Sequence, residues 1–142
     1  MKKIIVSACL LGTPCRYDGK SKPSEQVIAL GEKYVLVPVC PECLGGLPTP
    51  RPPCEIKGDK VIRIDGVDCT REYNLGAHKS LEIARESGAD IAIFKAKSPS
   101  CGKYQIYDGT YSGTLIKGQG VTAKLFMENN ITVIDEKELD TL

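Results

Sequence analysis

Three cysteines follow short apolar runs that predict buried strands. The pairs of run and cysteine are Lys2–Ala8 with Cys9, Tyr34–Val39 with Cys40, and Asp90–Ala96 with Cys101 after a short loop. Because ligands of an open parallel α/β sheet bind beyond the carboxyl ends of its strands, we expect these three thiols to meet at one edge. Three thiolates at one edge favour a soft metal ion or an iron–sulfur cluster.

The composition is that of one ordinary globular domain. The chain has 142 residues, of which 42% are hydrophobic and 26% are charged, and its formal net charge is +1. A chain of this length can bury a real core, and a net charge near zero does not recruit nucleic acid. The N-terminal apolar run is too short to span a membrane. We therefore expect a cytoplasmic protein that binds neither nucleic acid nor membrane.

Cysteine use also argues for metal binding or catalysis. The chain has seven cysteines, an odd number, and shows no secretion signal. In a reducing compartment, metal or catalytic use is more common than a disulfide framework. Cys69 stands outside any motif, and we interpret it as a small buried hydrophobic residue.

Helices and ribbons alternate with the predicted strands. The further predicted elements are a helix over Glu25–Gly31 capped by Ser24, a ribbon over Val61–Val67 turning at Asp65-Gly66, a helix from Thr70 to Ser87 with Leu75, His78, Leu81 and Ala84 on one face, a hairpin over Tyr104–Leu115, a helix over Val121–Asn129, and a strand over Ile131–Ile134. This order predicts a single α/β domain. Its small, mostly parallel sheet is flanked by helices in a Rossmann-like manner, with β-hairpin insertions.

The segment Cys40–Cys54 is the second region that can carry chemistry. It contains five prolines and two glycines, which predicts an irregular loop with no helix start. Its Cys40-Pro41-Glu42-Cys43 motif by itself fits a redox dithiol or half of a zinc site. Glu42 beside a metal thiolate can act as a general acid or base, or it can be a solvated loop charge.

Two further loops carry polar side chains next to the predicted strand ends. In the first, Arg16 can contact an anionic substrate or can pair with Asp18 to stabilise a turn, and Cys15 is a further candidate ligand. In the second, Ser98 and Ser100 flank Pro99 and can donate hydrogen bonds to a cluster or a substrate. Capping of the local backbone is the other interpretation, and it suits Ser100 better than Ser98.

Taken together, these motifs resemble a known bacterial family. The motifs are SACLLG with CRYDG, CPE with LGGL and PRPP, and KSPSCG, in that order along nearly the whole chain. They resemble a domain of unknown function whose characterised members are thiouracil desulfidases. The resemblance implies a desulfidase-like iron–sulfur domain over residues 1–142 that converts C=S to C=O in thiolated nucleobases such as 2-thiouracil and releases sulfide.

The resemblance also implies a set of site residues. A [4Fe–4S] cluster would be held by only three cysteines, Cys9, Cys40 and Cys101, and its open iron would take the substrate sulfur. Glu42 would move protons and activate water, and Ser98 would orient the substrate or donate a hydrogen bond. We add Arg16 and Ser100 as candidate substrate contacts. The expected partner is a small thioamide or thiopyrimidine.

Two alternatives remain open at the level of the sequence. If Cys15 or Cys43 completes a four-thiolate site, the protein is a non-catalytic iron–sulfur or zinc module for electron transfer or metal handling. If Cys40 and Cys43 act without metal, it is a thiol redox protein.

Overall fold

A computed structural model describes residues 1–142 as eight strands and four α-helices with short 3₁₀ turns. The strands are β1 (Lys3–Ser7), β2 (Val35–Val39), β3 (Cys54–Lys57), β4 (Lys60–Arg63), β5 (Ile91–Phe94), β6 (Gln105–Tyr107), β7 (Leu115–Lys117) and β8 (Thr132–Asp135). The helices are α1 (Glu25–Ala29), α2 (Pro41–Leu44), α3 (Thr70–Ser87) and α4 (Val121–Glu128).

Four parallel strands form the central sheet in the order β2-β1-β5-β8. The strand order reverses between β1 and β5, so the sheet has a switch point there. Cys9 follows β1 and Cys101 follows the loop after β5, so these two thiols flank the switch point. In sheets of this kind, ligands bind in the crevice outside the carboxyl ends of the strands at the switch point.

Helices cover both faces of the sheet, as the unbroken apolar strands require. One face packs Ile4, Val6 and Ile93 against Val27 of α1. The other face packs the core residues Ile5, Ala92, Phe94, Leu81, Ala84 and Phe126 from the sheet, α3 and α4. The rings of Phe94 and Phe126 lie with their centroids 5.0 Å apart. The two-sided burial confirms the α/β architecture expected from the sequence.

Most predicted elements form with boundaries that shift by one or two residues. The predicted Tyr104–Leu115 hairpin is wrong in its second strand, because β7 begins only at Leu115 and a seven-residue loop separates it from β6. Ser24 caps α1 as expected, because its Oγ accepts a hydrogen bond from Val27 N at 3.3 Å. The prediction that Val61–Val67 forms a ribbon by itself is wrong, because the strand in this segment pairs mainly with an earlier one. β4 pairs with β3 across a turn at Gly58, and the Asp65-Gly66 turn closes only an isolated bridge between Ile62 and Asp68.

The expectation of no helix after Cys40 is wrong. Pro41 occupies the first turn of α2, where its missing N–H costs nothing and its fixed φ suits a helix. Cys40 is therefore the N-terminal cap residue of a short helix that carries Glu42.

Helix α2 forms because it packs directly on the backbone of α3. A Cβ on Gly76 would lie 1.7 Å from Pro41 O, and a Cβ on Gly45 would lie 2.0 Å from Glu72 O. The buried face of α3 is consequently shifted from the predicted one. Its buried residues are Tyr73, Gly76, Ala77, Ser80, Leu81 and Ala84, whereas Leu75 and His78 are exposed.

None of the four α-helices combines the length and the apolar character that a membrane span requires.

Candidate active site

A cavity of about 400 Å³ opens beyond the carboxyl ends of β1, β2 and β5. All of the site residues predicted from the sequence line it: Cys9, Arg16, Cys40, Glu42, Ser98, Ser100 and Cys101. The cavity volume falls in the range typical of small-molecule sites. Parallel strands end at the same edge of the sheet, and this brings residues nearly a hundred positions apart to one place.

The three cysteines predicted as ligands reach the cavity by different local routes. Cys9 lies in a 3₁₀ turn directly after β1, and Cys40 caps α2. Cys101 ends the loop that leaves β5. Cys9 and Cys101 are buried, and Cys40 is half-buried.

The thiols influence one another electrostatically. Burial, followed by the negative charge of Cys101, raises the pKa of Cys9 to about 12. Burial also raises the pKa of Cys101 to about 12. A hydrogen bond with Cys15 and then burial raise the pKa of Cys40. The three thiols are therefore protonated at neutral pH unless a cation compensates their charges.

This donor set suits a cluster better than a single ion. No group of three or more His, Cys, Asp or Glu side chains is arranged closely enough to hold one metal ion. Thiolates bound to separate irons of a cluster stand farther apart than thiolates bound to one ion. Soft thiolate ligands are those that iron–sulfur clusters require, and the three cysteines share one cavity.

Two further cysteines flank Cys40. The Cys40 and Cys43 thiols lie 3.8 Å and 3.9 Å from Cys15 O. Cys15 lines the cavity, and the hydrogen bond from Cys40 lowers the pKa of its thiol. Cys69 lies outside the cavity and packs against Tyr73, in agreement with its interpretation as a buried hydrophobic residue.

Glu42 is held at both carboxylate oxygens and is not a solvated loop charge. Its side chain is only 13% exposed. Arg51 Nε donates to Oε1 at 3.1 Å, and Ser100 Oγ donates to Oε2 at 2.9 Å. A carboxylate that accepts charge-assisted hydrogen bonds on both oxygens has a defined orientation toward the cavity.

The backbone cap in the loop after β5 is Ser98, whereas the sequence favoured Ser100 for that role. Ser98 Oγ, and not Ser100 Oγ, caps the local backbone, because it accepts from Ser100 N and Cys101 N at 3.1 Å each. The two hydroxyls lie 2.9 Å apart. The carbonyls of Pro99 and Ser100 accept from the first N–H groups of α4, and this anchors the loop to a helix.

Arg16 makes the expected pair with Asp18, and its contact with a substrate stays a prediction. Its guanidinium lies 3.9 Å from Asp18 and 5.9 Å from the centre of the Tyr17 ring. It also lines the cavity and is 31% exposed, so it stands at the entrance.

Sequence reasoning missed Arg51 and the residues that form the outer wall of the cavity. Arg51 is buried and contacts Glu42, and its position between prolines was the only signal for it. Glu55 Oε1 accepts from Gly109 N at 3.0 Å and from Tyr111 N at 3.1 Å. This carboxylate thus joins the β3–β4 hairpin to the loop of the second hairpin. Tyr17, Tyr107 and Tyr111 also line the cavity.

The fold and the site define a class of doubly wound α/β protein with a thiol-lined cavity at its switch point. The chain belongs to the 2-thiouracil desulfurase family, whose model matches residues 4–138.

Two relatives show how far the similarity extends. A solved structure of the [4Fe-4S]-dependent thiouracil desulfidase TudS is 44% identical, with a TM-score of 0.95, and the match covers 100% of this chain and 95% of that one. The uncharacterized protein YbbK of Bacillus subtilis (strain 168) is 43% identical, over 98% of this chain and 99% of its own length. These matches confirm the predicted family, fold and enzyme class, and the solved relative depends on the cofactor predicted here.

Proposed function

We propose that this protein is a [4Fe–4S]-dependent desulfidase acting on thiolated pyrimidine bases such as 2-thiouracil. The reaction converts R₂C=S and water to R₂C=O and hydrogen sulfide, with no net transfer of electrons. The observation that carries the proposal is the cavity in which three cysteines lie beside the oriented carboxylate of Glu42. Family membership over residues 4–138 supports it.

Cys9, Cys40 and Cys101 would hold the cluster. They follow three separate elements of the scaffold and face one cavity, and their buried thiols need a cation to become thiolates. A cluster bound by only three of them would supply an iron able to act as a Lewis acid toward the substrate sulfur.

Glu42 would hold and move the protons of the reaction. Water that attacks the thiocarbonyl carbon must lose protons, and the departing sulfur must gain them. A buried carboxylate at the cavity wall can accept a proton on Oε2 and return it later. The bonds from Arg51 and Ser100 keep Glu42 in one orientation during both steps.

The hydrogen bonds that Ser98 accepts leave its hydroxyl group available as a donor. Ser98 Oγ accepts two backbone N–H bonds, so its own hydroxyl hydrogen is free to point at Ser100 Oγ or at a substrate atom. Ser100 has one hydroxyl hydrogen, which is directed at Glu42 Oε2. Cys101 Sγ is a more distant acceptor at 3.6 Å. We infer that Ser98 contacts the substrate and that Ser100 links Ser98 to Glu42.

Arg16 would contact the substrate from the entrance. Its guanidinium can donate to the base carbonyl, and the neighbouring Tyr17 ring can lie against the face of the base. Lys95 and Lys97 also line the cavity, and Lys95 is paired with Glu136 at 3.2 Å. The positive charges of Arg16 and Lys97 would favour the anionic thiolate form of a thioamide.

A four-thiolate electron carrier is the second candidate, because Cys15 also lines the cavity beside Cys40. A fourth thiolate would occupy the open iron and prevent the substrate sulfur from binding. The two candidates therefore make opposite predictions for a Cys15→Ser variant, which keeps the cluster and the activity only in the desulfidase.

Anaerobic reconstitution with iron and sulfide, followed by incubation with 2-thiouracil, tests the proposal. Formation of uracil and sulfide in equal amounts supports the desulfidase. A protein that carries its cluster but yields neither product contradicts activity on this substrate. The parent and the Cys15→Ser variant are compared under the same conditions.

A further inference from the structure

The Arg51 side chain lies inside the protein beside the active site, with an exposure of 5%. Its Nε donates to Glu42 Oε1 at 3.1 Å. One terminal nitrogen donates to Pro48 O and to Thr49 Oγ1, each at 3.0 Å, and the other donates to Cys15 O at 2.9 Å. A guanidinium has five N–H groups, so four of them are committed to protein acceptors. Arg51 has little capacity left to bind a substrate.

These acceptors belong to different segments of the chain. Glu42 lies on α2, whereas Cys15 lies in the loop that follows β1. The main-chain N–H of Arg51 adds a bond to Tyr17 O at 2.7 Å. Arg51 therefore joins the loop that carries Arg16 to the helix that carries the proposed acid–base group.

The bond to Cys15 O does not depend on the state of Cys40. In the metal-free protein, Cys15 O also lies within reach of the thiols of Cys40 and Cys43. A cysteine bound to iron has no S–H, so Cys40 cannot donate this bond once a cluster is present. The guanidinium of Arg51 remains as a donor in both states.

We propose that Arg51 is a positioning residue for desulfuration, an inference that rests on the proposed function. It holds Glu42 Oε1 through a single N–H, so Oε2 stays turned toward Ser100. It also keeps the Cys15–Tyr17 loop at a constant distance from α2. Arg51 acts on the reaction through Glu42 and does not touch the reacting atoms.

Lysine cannot replace arginine in this role. A lysine ammonium presents its donors from one point, whereas the planar guanidinium reaches acceptors spread over Glu42, Thr49 and Cys15. Arg51→Lys therefore keeps the positive charge and removes most of the hydrogen bonds that the guanidinium makes. The variant distinguishes positioning of Glu42 from simple neutralisation of its charge.

The experiment compares four anaerobically reconstituted variants with the parent. They are Arg51→Lys, Glu42→Gln, the double variant of both, and Arg85→Lys as a matched control. Arg85 also makes a side-chain hydrogen bond, to Asn129 Oδ1 at 2.7 Å, but it is exposed and outside the cavity. Iron and sulfide per chain and the visible absorption of the cluster are measured first, followed by kcat and KM for 2-thiouracil.

We expect Arg51→Lys to load its cluster like the parent and to keep KM within about twofold, with kcat lower by about 100-fold, at the lower end of acid–base contributions. In the Glu42→Gln background, Arg51→Lys should cause no further loss, because two residues that act as one unit are not additive. Arg85→Lys should match the parent in every measurement.

Three results would overturn the role of Arg51. The first is an unchanged kcat in Arg51→Lys, and the second is a full additional loss in the Glu42→Gln background. The third is iron loss that accounts for the whole loss of activity, because Arg51 would then maintain the cluster site and not Glu42. A loaded parent that releases no sulfide contradicts the proposed function itself, whereas an active parent with an equally active Arg51→Lys contradicts this inference alone.

Discussion

The Ser100 hydroxyl donates to Glu42 Oε2 at 2.9 Å across 58 positions of sequence. This bond connects the loop after β5 to the short helix after β2. Both segments also carry a cysteine of the proposed cluster site, so the acid–base group and the ligand cysteines are parts of one hydrogen-bonded frame. Single substitutions in this frame should therefore show which residues are needed for turnover and which for cluster binding.

Glu42→Gln should keep the cluster and lose turnover. Glutamine has almost the same volume and can still accept from Ser100, but it cannot hold and return a proton. We expect kcat to fall by about 10²–10⁴-fold, the usual contribution of a general acid or base. Sulfide release per reconstituted cluster checks this, with the exposed Glu86→Gln as the control. Turnover equal to the parent in Glu42→Gln would remove Glu42 from the chemistry.

Serine substitutions should divide the cysteines into two groups. Cys9→Ser, Cys40→Ser and Cys101→Ser should each prevent stable cluster loading, because serine is a poor ligand for iron–sulfur clusters. Cys43→Ser should load normally, since Cys43 does not line the cavity. Iron and sulfide analysis with visible absorption measures the loading. A loss of the cluster in Cys43→Ser would favour a four-thiolate site.

Gly76→Ala should destabilise the protein strongly. The new Cβ would lie 1.7 Å from Pro41 O, and neither backbone can move without separating α2 from α3. We expect a loss of about 3 kcal/mol in unfolding free energy, near the upper end of typical overpacking effects. Gly31→Ala is the control, because its Cβ would meet only Leu36 at an ordinary 3.7 Å. Urea unfolding followed by circular dichroism should show a large loss for Gly76→Ala only.

Tyr73→Phe should make the metal-free protein less sensitive to alkaline pH. Burial and then the charge of Glu42 raise the pKa of Tyr73 above its ordinary value. Its contribution to stability is complete below the unfolded value of about 10. Above that pH only the unfolded chain loses the proton, so the unfolding free energy falls by about 1.4 kcal/mol per pH unit.

The difference in unfolding free energy between the parent and Tyr73→Phe should therefore shrink from pH 9 toward pH 11. Urea unfolding at several pH values measures it. Tyr104→Phe, which changes a tyrosine that is 49% exposed, is measured alongside as the comparison variant. A constant difference between the parent and Tyr73→Phe would show that Tyr73 ionises equally in both states.

Much of the fold could be predicted because its signals are local. The apolar run of β1, the Ser24 cap and the end of α3 at Ser87 each depend on neighbouring residues, and each formed as expected. The short α2 helix could not be predicted, because its four residues hold no helical periodicity. It is stabilised by the close approach of Pro41 to Gly76, and that contact exists only when α3 is in place.

The site likewise has features that the sequence predicts and features that depend on tertiary contacts. The order of strands and cysteines along the chain determined that Cys9, Cys40 and Cys101 would share one edge, because parallel strands end on the same side of a sheet. The tertiary structure alone decided the partners of Glu42, the choice of Ser98 as the backbone cap and the burial of Arg51. A hydrogen bond depends on distances of a few tenths of an ångström between segments far apart in sequence. Residue type and spacing do not carry that information.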